Sequence, residues 1–550
     1  MSEHAVGRDL VRRWRDRAAV PAAVSAVSDA GTDAGEIAVS PAQTGLLLFE
    51  ELHPGTAVNI LSFVASVAGP VDRDRLRSAL VRMAERHPLL RARFPREEPP
   101  RCVVDPVAGS VAGSALNPAV DSAVDHAVDA AVDSVTVPSA VPSAVPSAVP
   151  SAASYAGPEP EFADLADLAH LPEDERREAA LARAGDFAAR PMDPATGPLW
   201  RVAVWSLGPD ETLLQVVAHH LICDGWSLGV FLAELTTLYS GGALPGAATP
   251  PAGGTPVTEA DLAYWRERLC DAPPLDLPAD LPRPVRPRFR SAAVPVSLDT
   301  ATVRHALEVA ERERVTPFMV LLAALHLTLA RTTGEPDVTI GAPIATGERH
   351  RAPGAIAPLV NMLALRTDST GAATGRDLLT AVRDTCLGAY AHAHVPLETV
   401  AAAAGTGGDR LFRAMCVLQD GLPEFHLDGR PVRPLTMAPA AIQYDVEMYL
   451  WQTGDRVTGF LGYDADLFDA ETARLLADRF GVALRALTKG VDGPLAELDV
   501  LGEAEKTALG ALGDGGPLAG DGRCVHGLVE AVVDRCPDAV AVRAVDGVVR

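Results

Sequence analysis

Between Val137 and Ala152 the unit Val-Pro-Ser-Ala repeats four times. A proline at every fourth position removes backbone donors and clashes with the preceding turn, so no continuous helix crosses this stretch. A looser Ala-Val-Asp repetition precedes it, from Val120 to Asp133, and no aromatic residue follows until Tyr155. Without aromatic anchors the block lacks the apolar surface to offset its ordering entropy. Residues 105–160 are therefore expected to form a disordered, low-complexity insertion on a surface loop. The folded core must be assembled from the chain on either side.

That remainder alternates in type. Helical periodicity marks 73–87, 173–189, 228–240, 300–314, 317–332 and 470–488, and β-branched or apolar runs mark 60–68, 199–206, 213–219, 338–341, 414–418 and 457–463. Strands separated by long helices predict an α/β (α+β) protein. With 550 residues, 48% of them apolar, the chain supports roughly two to four compact units. The Pro-rich, nonperiodic stretch 276–287 is expected to be a crossing loop. Residues 1–35 carry one short basic amphipathic run, 10–17, and then an Ala/Ser/Gly/Asp-rich linker. Beyond residue 500 the character changes. A Gly-rich linker, 507–522, leads to a new helix, 525–537, and a new strand, 539–542.

Composition excludes several function classes. Lys and Arg total 48 against 72 Asp and Glu, a net charge of −24. No basic face of the kind nucleic acid requires is expected. Seven cysteines are scattered without a Cys-x-x-Cys pair, which predicts reduced thiols and no metal site. The N-terminus lacks an apolar signal core, and no uncharged apolar run reaches the ~18 residues of a membrane span. A cytoplasmic protein with no membrane partner is the expectation.

One segment carries chemistry. In Leu213 to Leu235, LLQVVAHHLICDGWSLGVFLAEL, an apolar strand runs into His219 and His220, a turn closes at Asp224-Gly225, and an apolar helix follows with Ser227 at the expected N-cap. Neighbouring strand side chains point to opposite faces, so only one histidine can face a given cleft. A histidine near its working pH can accept a proton from an attacking amine or hydroxyl. Asp224 is placed to pair with an arginine and brace the turn. Gly225 is read as permitting a backbone geometry closed to other residues.

The segment HHLICDGWS resembles the HHxxxDG signature shared by nonribosomal peptide synthetase condensation domains, chloramphenicol acetyltransferase and related acyltransferases. Further segments, in the family's order, narrow the resemblance to condensation domains. Ser40-Pro41-Ala42-Gln43 with Leu46 resembles SxAQxRLW, although Thr44 and Gly45 depart from its arginine-containing form. Arg86 to Phe94 resembles RHxxLRTxF, and Asp261 to Trp265 the tyrosine-tryptophan motif. Ile356 to Arg366 resembles IGxFVNTLxLR, with Asn361 in place. His394 to Glu398 resembles QDxPFE, and Asp409 to Phe412 the RNPLFQ region.

The resemblance implies two chloramphenicol acetyltransferase-like lobes in a V-shaped pseudo-dimer with a central tunnel. The lobes are expected at 36–255 and 256–500, with 1–35 a candidate docking segment and 501–550 a linker and the start of an adenylation domain. It further implies an upstream donor carrier protein, a downstream acceptor carrier protein and an adenylation domain in cis. The domain itself would bind no cofactor, because both substrates arrive on the phosphopantetheine of the carriers. No carrier domain is read in the chain, so the donor is expected from another polypeptide or a starter acyl group.

For the site, the resemblance implies His220 as the reacting histidine, as general base or by orienting the amine, with the Gly225 amide facing the developing oxyanion. His219 and Asp224 are expected to be structural. The family's usual arginine partner of Asp224 falls on Gly347 in GAPIATGER, so Arg349 or Arg91 is expected to replace it. Trp226, Ser227 and Asn361 are expected to line the tunnel. Ester formation, transfer from coenzyme A thioesters and a noncatalytic recruitment platform are the alternative functions. Asp224 to Gly229 reads as the condensing rather than the epimerising form, and the retained histidines disfavour both heterocyclisation and the platform.

Overall fold

The computed structural model describes residues 35–106, 158–168, 170–248, 255–405, 411–421, 424–514, 524–540, 542–544 and 547–549. The amphipathic run at 10–17, nearly all of the low-complexity block and Asp409-Arg410 lie outside the described residues. The chain divides after Val500 into two compact units.

The first unit is built on two six-stranded sheets and one small three-stranded sheet. The small sheet pairs β1 (Gly35–Ile37), β3 (Ala92–Arg93) and β4 (Cys102–Val104). The first large sheet contains β2 (Ile60–Ala68), β5 (Glu161–Asp164), β6 (Trp200–Ser206) and β7 (Glu211–His219). Around it lie α1 (Pro41–Leu52), α2 (Arg73–Arg86), α3 (Glu173–Ala189) and α4 (Gly225–Tyr239). The strand β7 reads as a continuous apolar run because both its faces are buried. Leu214, Val216 and Ala218 join a core with Leu76, Leu80 and Phe231, while Leu213 and Val217 join another with Ala184 and Phe187 of α3.

The second half opens with α5 (Glu259–Leu269), after which residues 271–290 contain no helix or strand. Its sheet runs in the order β10 (Val360–Asp368), β9 (Asp337–Ala345), β11 (Ala414–Asp420), β14 (Val446–Thr453), β15 (Arg456–Asp464) and β8 (Ser291–Ser297). The covering helices are α6 (Thr300–Glu313), α7 (Pro317–Thr333), the short α8 (Gly347–Arg351), α9 (Gly375–Ala391), α10 (Leu397–Ala404) and α11 (Ala470–Lys489). Every residue of α7 from Met319 to Leu329 is buried, His326 and Thr328 included, so this helix has no polar face over that span. A Thr316 capping box, Pro317 in the first turn and Gly334 in the left-handed region end it at both sides.

The mixed α/β architecture with two sheets agrees with the fold class read from the sequence. A division at 255, however, does not partition the sheets. The hairpin β12 (Phe425–Leu427) and β13 (Arg430–Leu435) comes from the second half and joins the first sheet, with Val432 opposite Val67. It covers what would otherwise be the exposed edge of β2. Phe425, Leu427 and Val432 are buried in the first core, and Arg75 pairs with Asp428 at 2.6 Å.

The second unit contains α12 (Glu503–Gly513), α13 (Val525–Arg535) and the hairpin β16 (Val542–Ala544) with β17 (Gly547–Val549). The expected linker at 507–522 therefore begins as helix. Good helix formers outweigh Gly510 there, and Lys506 lies 2.8 Å from Glu503 across one turn. The expected strand is shifted to start at Val542, because its extent follows the partner strand.

Candidate active site at the histidine turn

His219 is the last residue of β7, and the chain reverses immediately. The N–H of His220 donates to the Asn59 carbonyl at 2.8 Å, and that of Ile222 to the His219 carbonyl at 3.0 Å. Asp224 ends the turn in extended geometry and is the N-cap of α4, accepting the Ser227 N–H at 2.8 Å. The cap is thus Asp224 rather than Ser227. The carboxylate reaches the third N–H of the helix, which leaves Ser227 inside the first turn.

The carboxylate of Asp224 is fully engaged. Arg349 Nη2 donates to Oδ1 at 3.0 Å and Oδ2 at 2.8 Å, the Leu359 N–H to Oδ2 at 2.9 Å, and the Ser227 hydroxyl to Oδ1 at 2.7 Å. Arg349 also donates to the carbonyls of Ala355 and Ala357. Both charged groups are buried, so each satisfies the other where an unpaired charge would be costly. Gly347 starts α8, and the turn of that helix brings Arg349 to the carboxylate from two positions further on. Arg91 does not serve this role. Its guanidinium donates to the carbonyls of Ala84 and Asp105, which places it against α2 and the small sheet.

His219 is buried with both ring nitrogens occupied. Nδ1 accepts the Leu221 N–H at 3.1 Å, and Nε2 lies 3.3 Å from Glu50 Oε1. The same Glu50 oxygen accepts from Asn59 Nδ2 at 2.7 Å, and Gln43 Nε2 donates to the Leu221 carbonyl at 2.8 Å. Helix α1 therefore braces the turn from two residues seven apart, on one face. The part played by Glu50 was not apparent from the sequence motifs. Its spacing from Gln43 on a helix opened by a Ser40 capping box is the signal that would have found it.

His220 keeps partial solvent access while the rest of its turn is closed. Burial, and then the neighbouring His219, push its imidazole down to about 4, against the opposing pull of Asp224 and a backbone hydrogen bond at Cys223. The ring is neutral near pH 7. The adjacent Cys223 thiol is pushed well up by burial, and the charge of Asp224 adds to this. It is a poor competing nucleophile.

Gly225 faces the second sheet. A Cβ there would stand 3.1 Å from Gln419 Nε2. Trp226 is 54% exposed, with Nε1 donating to the Pro353 carbonyl at 3.2 Å. Ser227 does not line an open space, because it is buried among Asp224, Arg349 and Ala357. Asn361 likewise turns to the main chain. Its Nδ2 donates to Ala393 and Val395, and its Oδ1 accepts from Met362. Both are bracing residues, since their polar atoms are spent on main-chain and side-chain partners.

Other motif segments brace the site from further out. Arg86 and His87 hold Glu234 of α4 at 3.0 and 2.6 Å. Asp261 faces His392 at 2.7 Å and His394 at 3.2 Å, ahead of α10. Among the described residues, no single helix is long and apolar enough to cross a membrane. All seven cysteines are free thiols.

A family model for the condensation domain matches residues 33–109 and 161–510, passing over most of the low-complexity block. Phosphinothricin tripeptide synthetase PhsC of Streptomyces viridochromogenes is 30% identical across 96% of this chain. Malpibaldin synthetase of Mortierella alpina is 32% identical across 64% of it. This chain spans 46% of the first and 7% of the second. Among solved structures, the first condensation domain of the CDA synthetase aligns with TM-score 0.66 and 19% identity, over 85% of this chain and 99% of that one. The X-domain from teicoplanin biosynthesis aligns with TM-score 0.64 and 20% identity, over 87% and 100%. These structures share the fold. Together with the family match and the identity to peptide synthetases, they establish that the chain belongs to the condensation-domain family.

Proposed function

We propose that this chain forms an amide bond between a donor acyl thioester on one carrier protein and the amine of an aminoacyl thioester on another. The observation that carries the reading is the division of labour at the turn. Asp224, His219, Ser227 and Arg349 are consumed in bracing, which leaves the neutral, partly accessible His220 as the group free to meet a substrate. In the reaction the amine attacks the thioester carbonyl, the C–N bond forms, and the C–S bond breaks. The proton lost by nitrogen ends on the departing thiol of the phosphopantetheine arm. A thioester is already activated, so holding two tethered reactants together supplies much of the rate.

An imidazole held near pKa 4 is a weak base, and the Asp224 carboxylate is committed to Arg349. His220 is therefore read as orienting the amine by accepting its hydrogen bond, not as a triad base. The substrates would meet in a channel between the two sheets, open to a carrier at each mouth. The second unit, 501–550, is read as the opening of an adenylation domain, and residues 1–35 as a docking segment for the donor side. The test is His220→Ala with chemically loaded carriers, followed by mass spectrometry of the product. Loss of amide formation supports the reading. A wild-type rate would refute a catalytic His220, whereas no product from the wild type itself would favour a recruitment platform.

A further inference from the structure

Gln419 lies one residue before the end of β11, on the sheet opposite the histidine turn. In the parallel ladder it stands against Trp451 of β14. The Trp451 indole donates to Gln419 Oε1 at 3.0 Å. An indole nitrogen can only donate, so this bond identifies the oxygen end of the amide and fixes the direction of the other end. That other end, Nε2, has no acceptor among the described residues. It points at the first residue of α4, 3.1 Å from where a Cβ on Gly225 would stand. A side chain at 225 would press on the donor, and glycine leaves the space before it open. Gln419 is itself only partly buried, so the donor is accessible and oriented at once.

We infer that Gln419 is a catalytic residue, resting on the amide-forming reading above: its Nε2–H donates to the carbonyl oxygen under attack. As the amine nitrogen bonds to the thioester carbon, the C=O electron pair moves onto oxygen and the Gln419 N–H holds the resulting oxyanion. Collapse restores the C=O bond and expels sulfur, which takes up the proton released from nitrogen. A donor fixed before the reaction costs no reorganisation when the charge develops. Trp451 then acts as a positioning residue, because its indole prevents the amide from flipping.

The experiment measures single-turnover amide formation across a range of loaded-carrier concentrations up to saturation, comparing wild type, His220→Ala, Gln419→Ala, Gln419→Glu and Trp451→Phe. Gln419→Ala is expected to lower the rate roughly 100-fold with the apparent KM for both carriers unchanged. Gln419→Glu keeps an acceptor for Trp451 but aims an oxygen at the oxyanion, so it is expected to be slower than the alanine variant. Trp451→Phe is expected to lose a smaller factor in the same step. Should Gln419→Ala fail to fold, the other two variants carry the comparison. Wild-type rates in the Gln419 variants, losses confined to KM, or a glutamate variant no slower than alanine would overturn the inference. A wild type that forms no amide would instead defeat the underlying reading.

Discussion

Arg349 Nη2 lies 2.8 Å from Asp224 Oδ2, joining the histidine turn to a short helix of the second half. The pair spans 125 residues of sequence and is closed off from solvent. Removing one partner leaves the other charge buried. Arg349→Met is therefore expected to destabilise the domain by about 3–5 kcal/mol. Asp224→Asn, which keeps two of the acceptor interactions, is expected to cost less. Urea unfolding of the two variants and their double combination checks this, because a real coupling makes the double variant milder than the sum.

If His220 orients the amine as proposed, the pH dependence of the reaction follows from its imidazole. Its imidazole is pushed down to about 4, so the neutral form that accepts a hydrogen bond persists well below pH 6.5. With the carriers kept loaded, the contribution of His220 to the rate is expected to fall only as pH drops through about 4. The sign for stability is the same. Between about pH 4 and 6.5 the unfolded chain binds a proton at this site that the folded chain does not, so stability declines on acidification. His220→Ala is expected to flatten that decline. A rate controlled by His220 that fell near pH 6.5 would contradict it.

Glu50 ties His219 and Asn59 together, and Gln43 holds the Leu221 carbonyl. Glu50→Ala leaves two donors without their acceptor, an expected cost of about 1–3 kcal/mol. The amide-forming rate is expected to fall at temperatures where the variant remains folded, since the turn presenting His220 loosens. Rescue by Glu50→Gln, which retains an acceptor oxygen, would separate bracing from charge.

Three glycines are predicted to differ in what alanine costs. At Gly459 the new Cβ would stand 2.0 Å from the Tyr449 carbonyl, and at Gly341 it would stand 2.1 Å from the Phe412 ring. At Gly45 it would stand 1.9 Å from Glu398 Oε1. The Glu398 side chain, whose Cδ and Cγ would also lie 2.3 and 2.8 Å from the new Cβ, can shift as a whole where a strand carbonyl cannot, so Gly45→Ala is expected to cost less than Gly459→Ala. Gly459→Ala is expected to be the most damaging. Thermal unfolding of the three variants ranks them.

Glu398 offers a second test of pH. Burial raises its carboxyl to about 7. A raised carboxyl favours the folded state at low pH, and that contribution is lost as pH rises from about 4.5 through 7. Glu398→Gln is expected to gain melting temperature relative to wild type at pH 8 and little at pH 4.5. An equal shift at both values would rule out the protonated carboxyl.

The elements were largely legible before the structure, because their periodicities are local: α3 and β2 fall at the residues that amphipathic spacing and β-branched runs mark. The histidine turn was legible for the same reason, as strand, turn and helix are contiguous in sequence. What only tertiary structure decided are relationships between residues far apart in the chain. These include the choice of Arg349 over Arg91, the transfer of β12 and β13 to the first sheet, and the conversion of Ser227 and Asn361 from expected lining to bracing. Pairing of buried charges and satisfaction of buried donors depend on which side chains meet in space. The sequence by itself determined which local pieces form and which family they belong to. The packing of the two sheets determined which of two arginines holds Asp224 and which glutamine, Gln419, faces Gly225.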